Sequence, residues 1–261
     1  MVRLRATAAV LVIAATVCAA MSTAQASVAA ERATLQISLS PDRLGASTTI
    51  GFGFQISSTD GGAPAPLDAI DLHLPNGINY LTTTLGLAIC QPAALAARGL
   101  AGCSPNSRLG FGSAYVEVPF GQSSAYEIPN IQALMGPPHD GNVVVLFYAD
   151  GREPVSAQLV FTGELIEGSN SIGGSLTATV PLIPSITAGP PVSIVSVHTT
   201  IGPQHLTYYR HVHGRTVSFH PLGVSLPLHC PRGGFPFSAT FGFTDGSSAS
   251  ATSAVPCPRS R

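Results

Sequence analysis

Residues Thr48 to Ile56 read TTIGFGFQI, which puts Ile50, Phe52, Phe54 and Ile56 on one side of an extended chain and Gly51, Gly53 and Gln55 on the other. On a helix the same four apolar residues would scatter around the cylinder; only a strand gathers them on one face. The pattern returns near the C-terminus, where Phe235, Phe237, Phe241 and Phe243 alternate with Pro236, Ser238, Thr240 and Gly242. The same reading predicts strands over 34–40, 67–74, 109–118, 142–148, 157–165, 175–182, 192–201, 206–212, 216–220, 224–228 and 248–255. A chain built this way must bury one face of many short strands. The predicted fold class is therefore all-β, a large antiparallel β-sandwich of immunoglobulin-like or jelly-roll-like type.

Turn chemistry fits that reading. Asp-Gly occurs at residues 60, 140, 150 and 245 and Asn-Gly at residue 76, dipeptides that accept positive φ and close tight hairpins. None has the spacing of a calcium loop. One segment departs from the pattern: residues 91–100 are rich in Ala and Leu and lack β-branched side chains, which predicts one short helix. The Pro-rich stretch from Pro181 to Pro191 is the best candidate boundary should the chain divide into two β domains.

The N-terminus has the anatomy of an export signal. Arg3 and Arg5 precede an apolar run from Ala8 to Ala20, and Ala24-Gln25-Ala26 supplies a cleavage pattern, so residues 1–26 read as a signal peptide and 27–261 as the mature protein. The run is too short for a membrane anchor. Cys18 would leave with the signal. The remaining cysteines, Cys90, Cys103, Cys230 and Cys257, read as two disulfides in an oxidising compartment. Of the three connectivities, pairing of sequence neighbours predicts Cys90–Cys103, stapling the helix to the β framework, and Cys230–Cys257.

Composition narrows function by exclusion. The 261 residues carry 12 basic and 13 acidic side chains, a formal charge of −1; all the basic ones are Arg, and only 10% of the chain is charged. No basic field exists to neutralise a nucleic acid. At 45% hydrophobic the chain is not of the disordered class either. No Gly-rich phosphate loop precedes a helix, so no nucleotide cofactor is predicted.

Several segments together resemble an uncharacterised group of secreted proteins from high-GC bacteria. They are PDRLGASTTIGF from Pro41, LHLPNGI from Leu72, the cysteine pair at 90 and 103, NSRLGFGSA from Asn106, and CPRGGFPFSATFGFTDG from Cys230 with VPCP at Val255–Pro258. The resemblance spans nearly the whole mature chain and implies a secreted, disulfide-bonded β protein. It brings no activity and no site residue.

The residues offer parts of four chemistries. Six of the eight histidines lie between His198 and His229, and His211-Val212-His213 on a strand would point two imidazoles one way, with His220 or His205 as third metal ligand. Against this, Gly214 signals a turn and no glutamate follows. Hydrolysis lacks a G-x-S-x-G elbow, and the carboxylate pairs Asp68/Asp71 and Glu164/Glu167 read as solvated strand residues. Sugar stacking would fall to Tyr208 or Tyr209, or to Tyr115 and Tyr126, since tryptophan is absent. Finally, the apolar runs NVVVLFYA from Asn142 and PVSIVSV from Pro191 are able to line an internal cavity. The reading is of a secreted, non-catalytic structural or interaction protein with an extracellular or cell-envelope partner and no cofactor. The alternative is a carrier of a lipid or other apolar ligand, ahead of a metal- or carbohydrate-binding module.

Overall fold

The computed structural model describes residues 30–79, 84–154, 156–168, 172–185 and 189–258. The expected export signal lies outside them. The first three strands are β1 (Glu31–Ser40), β2 (Ser47–Ser58) and β3 (Leu67–Pro75), followed by helix α1 (Pro92–Arg98). Six more follow: β4 (Arg108–Phe120), β5 (Ser123–Glu127), β6 (Asn130–Met135), β7 (Val143–Gly151), β8 (Ala157–Glu167) and β9 (Ile172–Thr179). The last six are β10 (Ser193–Ile201), β11 (Tyr208–Val212), β12 (Arg215–Phe219), β13 (Val224–Ser225), β14 (Phe235–Phe243) and β15 (Ser248–Val255). The chain is all-β with one short helix among the described residues.

The layering differs from the expected sandwich. Instead of two facing sheets, thirteen strands share one antiparallel sheet in the order β1-β2-β10-β4-β6-β7-β8-β9-β3-β14-β15, with β13 added on β2 and β5 on β4. Its terminal strands β1 and β15 lie against each other, so the sheet curls into a nearly closed barrel. Alternation cannot separate these outcomes, because sandwich and barrel both bury one face of every strand. Strands from either side of the Pro181–Pro191 stretch pair directly, β10 sitting between β2 and β4. Only β11 and β12 stand apart as a two-stranded arm.

The inner face carries the predicted alternation: Ile50, Phe54 and Ile56 of β2, with Phe235, Phe237, Phe241 and Phe243 of β14, are buried in one cluster. Away from helix α1, the outer face carries a polar row. In register across seven strands run Gln36, Gly53, His198, Ser113, Asn130, Asp150 and Gln158. A lipid-spanning barrel has the reverse arrangement, an apolar outside and a polar lumen.

Both expected disulfides form, Cys90–Cys103 and Cys230–Cys257. The first closes the excursion that carries α1, and Leu95 of that helix packs with Cys90 on Leu134, Val144, Leu146 and Tyr148. The excursion thus covers the outside of β6 and β7. No described helix is long and apolar enough to cross a membrane.

Two local expectations change. Asp150-Gly151 is not a turn: both residues belong to β7 and pair with Gln158 and Ala157, and the chain reverses after them. The Asp150 carboxylate accepts hydrogen bonds from Arg152, at 2.8 and 3.3 Å, and from Gln158, which suits a strand end as well as a turn. Asp140-Gly141 behaves as expected, with φ of 49° and 82°. Strands β5 and β6 were not predicted, because SSAYE and NIQALM are short and nearly free of β-branched residues.

Candidate functional site

The run VVVLFYA of β7, residues 143–149, is apolar without a break, as expected of a strand covered on both faces. Its two faces are covered differently. Val144, Leu146 and Tyr148 point outward beneath the α1 excursion and are buried. Val145, Phe147 and Ala149 point inward, yet remain only half-buried. The inward residues of the neighbouring strands, Leu159, Phe161 and Leu165 of β8 and Leu176 and Ala178 of β9, are half-buried too. What they face is an apolar cavity of about 240 Å³ inside the barrel.

Nine strands contribute to its wall, and among the described lining residues Thr199 alone has a polar side chain. That hydroxyl already donates to the Phe52 carbonyl at 3.4 Å. Phe147 and Phe161 stack across β7 and β8 with centroids 5.1 Å apart. The inward position between Phe161 and Leu165 is Gly163, where a Cβ would press on the Phe147 ring at 3.0 Å and on Leu176 at 3.1 Å. Glycine there lets the ring lie flat against the wall.

One end of the lumen is covered by connectors. Strands β9 and β10 are far apart in the sheet order, and the connector between them, described over 180–185 and 189–192, lies across the barrel end. Pro181, Pro184, Pro190 and Pro191 cannot donate to a ladder, which keeps the segment from extending the sheet. It folds back on itself through Ser185 N–H to Pro190 C=O at 2.9 Å and Val192 N–H to Ile183 C=O at 2.8 Å. The β2–β3 connector crosses the same end and accepts a 2.6 Å hydrogen bond from Ser193 Oγ at Pro64 C=O. Leu182 lines the cavity while staying 48% exposed, the only exposed lining residue among the described residues. It marks the opening.

The residues singled out for other chemistry are dispersed. His211 sits on β11, whereas His213 takes φ of 48° in the turn with Gly214 at 74°, so the two do not share a strand face. His220, beyond β12, places Nδ1 2.8 Å from the Leu206 carbonyl oxygen. No group of three His, Cys, Asp or Glu side chains able to hold a metal occurs among the described residues. Tyr208 is fully buried; its hydroxyl donates to Arg108 C=O and accepts from Gly86 N–H at 2.9 Å. Burial raises the pKa of that phenol above its ordinary value. Tyr209 is exposed, and Tyr115 and Tyr126 stack on one another with centroids 5.0 Å apart. Asp71 pairs with His73 at 3.6 Å, and Glu164 with His139 at 2.7 Å.

Of the lumen wall, the sequence pointed to the β7 run and to 191–197, which supply Val145, Phe147, Ala149, Val192, Ile194 and Val197. Leu182 and the β8–β9 wall went unnoticed, although the alternation of Leu159, Phe161 and Leu165 was legible. Comparison with family models, curated proteins and solved structures finds no match.

Proposed function

We propose that this chain is an exported, non-catalytic binding protein that carries one apolar small molecule in its barrel lumen. The apolar cavity carries the reading. An unfilled apolar void of 240 Å³ costs about 6 kcal/mol at roughly 24 cal/mol per Å³. That approaches the whole stability of an ordinary domain, about 5–15 kcal/mol. A ligand that fills the void returns apolar contact to Phe147, Phe161 and Leu176 and stabilises the fold by mass action. The volume lies below the roughly 300–1,000 Å³ of drug-sized sites, which suits a single hydrocarbon chain or a small terpenoid. Two disulfides and the N-terminal signal sequence support a place outside the cytoplasm.

The test is binding of the neutral fluorophore phenylnaphthylamine to the wild-type protein and to Ala178→Phe, which fills the lumen opposite Gly163. Fluorescence should rise on wild type and stay flat on the variant, with the variant melting no lower. A silent wild-type protein, or equal signals from both, would sink the proposal.

A further inference from the structure

Strand β5 pairs only with β4, and the register sets Glu127 opposite Val116. Residues directly opposed across an antiparallel pair project from the same face. Val116 lines the lumen, so the Glu127 side chain lies on the lumen side, and Pro129, two residues on, also contributes to the wall. Glu127 is 7% exposed, and its Oε1 is buried with no hydrogen-bond partner. A buried carboxylate oxygen without a donor is costly, and a fold keeps one where something else supplies the donor. Val116 also pairs with Ile194 of β10, just beyond the proline-rich connector, so Glu127 sits at the same end of the barrel as Leu182 and the opening.

From this placement we infer that Glu127 is the polar anchor of the ligand: the lumen takes an apolar chain whose head, at the open end, is a hydrogen-bond donor, a primary ammonium above all. An ammonium gives the orphaned oxygen a charge-assisted partner, while the tail meets a wall with no free polar side chain. A carboxylate head would instead face a like charge. The inference rests on the carrier reading, and its test separates the two.

Calorimetric titration with decylamine, decanol and decanoate is run on the wild-type protein, Glu127→Gln and Glu127→Leu. Decylamine should bind wild type at least about tenfold more tightly than decanoate, as one charge-assisted hydrogen bond allows. Glu127→Gln should lose that preference, and Glu127→Leu should bind all three chains alike. Both variants should melt no lower than wild type, because each removes a buried unpaired charge. Equal affinity for the three chains in every protein would overturn the anchor and leave the apolar lumen standing. Failure of all three chains on wild type would overturn the lumen reading, and the anchor with it.

Discussion

Two parts of one sheet both present phenylalanine inward, and they pack differently. On β14 the rings of Phe235, Phe237, Phe241 and Phe243 are buried. They have partners shaped for them: β15 alongside offers Ala249, Ala251 and Val255, and Phe54 of β2 lies 4.7 Å from Phe241 between centroids. On β7 and β8 the rings of Phe147 and Phe161 stack on each other, are only half-buried at the edge of the core and border open volume. Large against small closes a core; large against nothing leaves a lumen. The difference teaches that alternation decides which side faces in, while the size of what stands opposite decides whether the inside is full.

The largest effect expected from this contrast comes from truncating one ring on each side. Phe241→Ala should cost about 3–5 kcal/mol, the range for a fully enclosed aromatic. Phe161→Ala should cost about 1–2 kcal/mol, because part of that ring never left an open surface. Paired denaturant melts measure the gap, and equal losses would mean that the lumen is as tightly filled as the opposite wall.

The next effect concerns the outside of the open wall. Replacing Cys90 and Cys103 together by Ser should cost about 3 kcal/mol on the chain-entropy estimate. It should also uncover the outward side chains of β7, among them Leu146, which is fully buried. Hydrogen exchange should then quicken in β6 and β7 and not in β14 and β15. Uniform quickening would show that the α1 excursion does not act on one wall.

A smaller effect of opposite sign comes from filling. Ala149→Leu projects a larger side chain from β7 into the lumen and should raise stability by about 0.5–2 kcal/mol, as cavity filling commonly does. The same exchange at Ala251, within the packed wall, should lower stability by about 1–3 kcal/mol through overpacking. Matching signs at the two positions would erase the distinction between the walls.

How much of this was readable beforehand follows from the same physics. Period-2 alternation located the inward residues of β2 and β14, because the pleat fixes the side on which each residue falls. Cysteine spacing located the stapled excursion. Closure of the sheet into one barrel was not readable, since it depends on which strands become neighbours. β10 inserting between β2 and β4 leaves no mark in local sequence. The lumen was half readable: VVVLFYA announces two covered faces but not that one cover is a void. Glu127 gave no signal at all. SSAYE looks like an exposed loop until its pairing with β4 turns the carboxylate inward.

The smallest expected effect tests whether the two faces of the open wall are independent. Asp150 stands on the outer face of β7, one residue after the lumen-lining Ala149. The Arg152 guanidinium holds its carboxyl below the usual carboxylate range, with Gln158 adding a second donor. A carboxyl depressed in the folded state contributes stability above its unfolded value, about 3.9. That contribution fades as pH falls through the lower, folded value. Arg152 is 78% exposed, so solvent screens the pair and the loss on breaking it is slight. In Arg152→Ala the carbon-detected titration of Asp150 should move up toward the ordinary range, while affinity for phenylnaphthylamine stays unchanged. Strand side chains alternate across the sheet, so a charge on one face reaches the other only by moving the backbone. An altered affinity would therefore mean that the outer rim of β7 and the lumen wall shift as one body, and that the lumen is shaped from outside as well as from within.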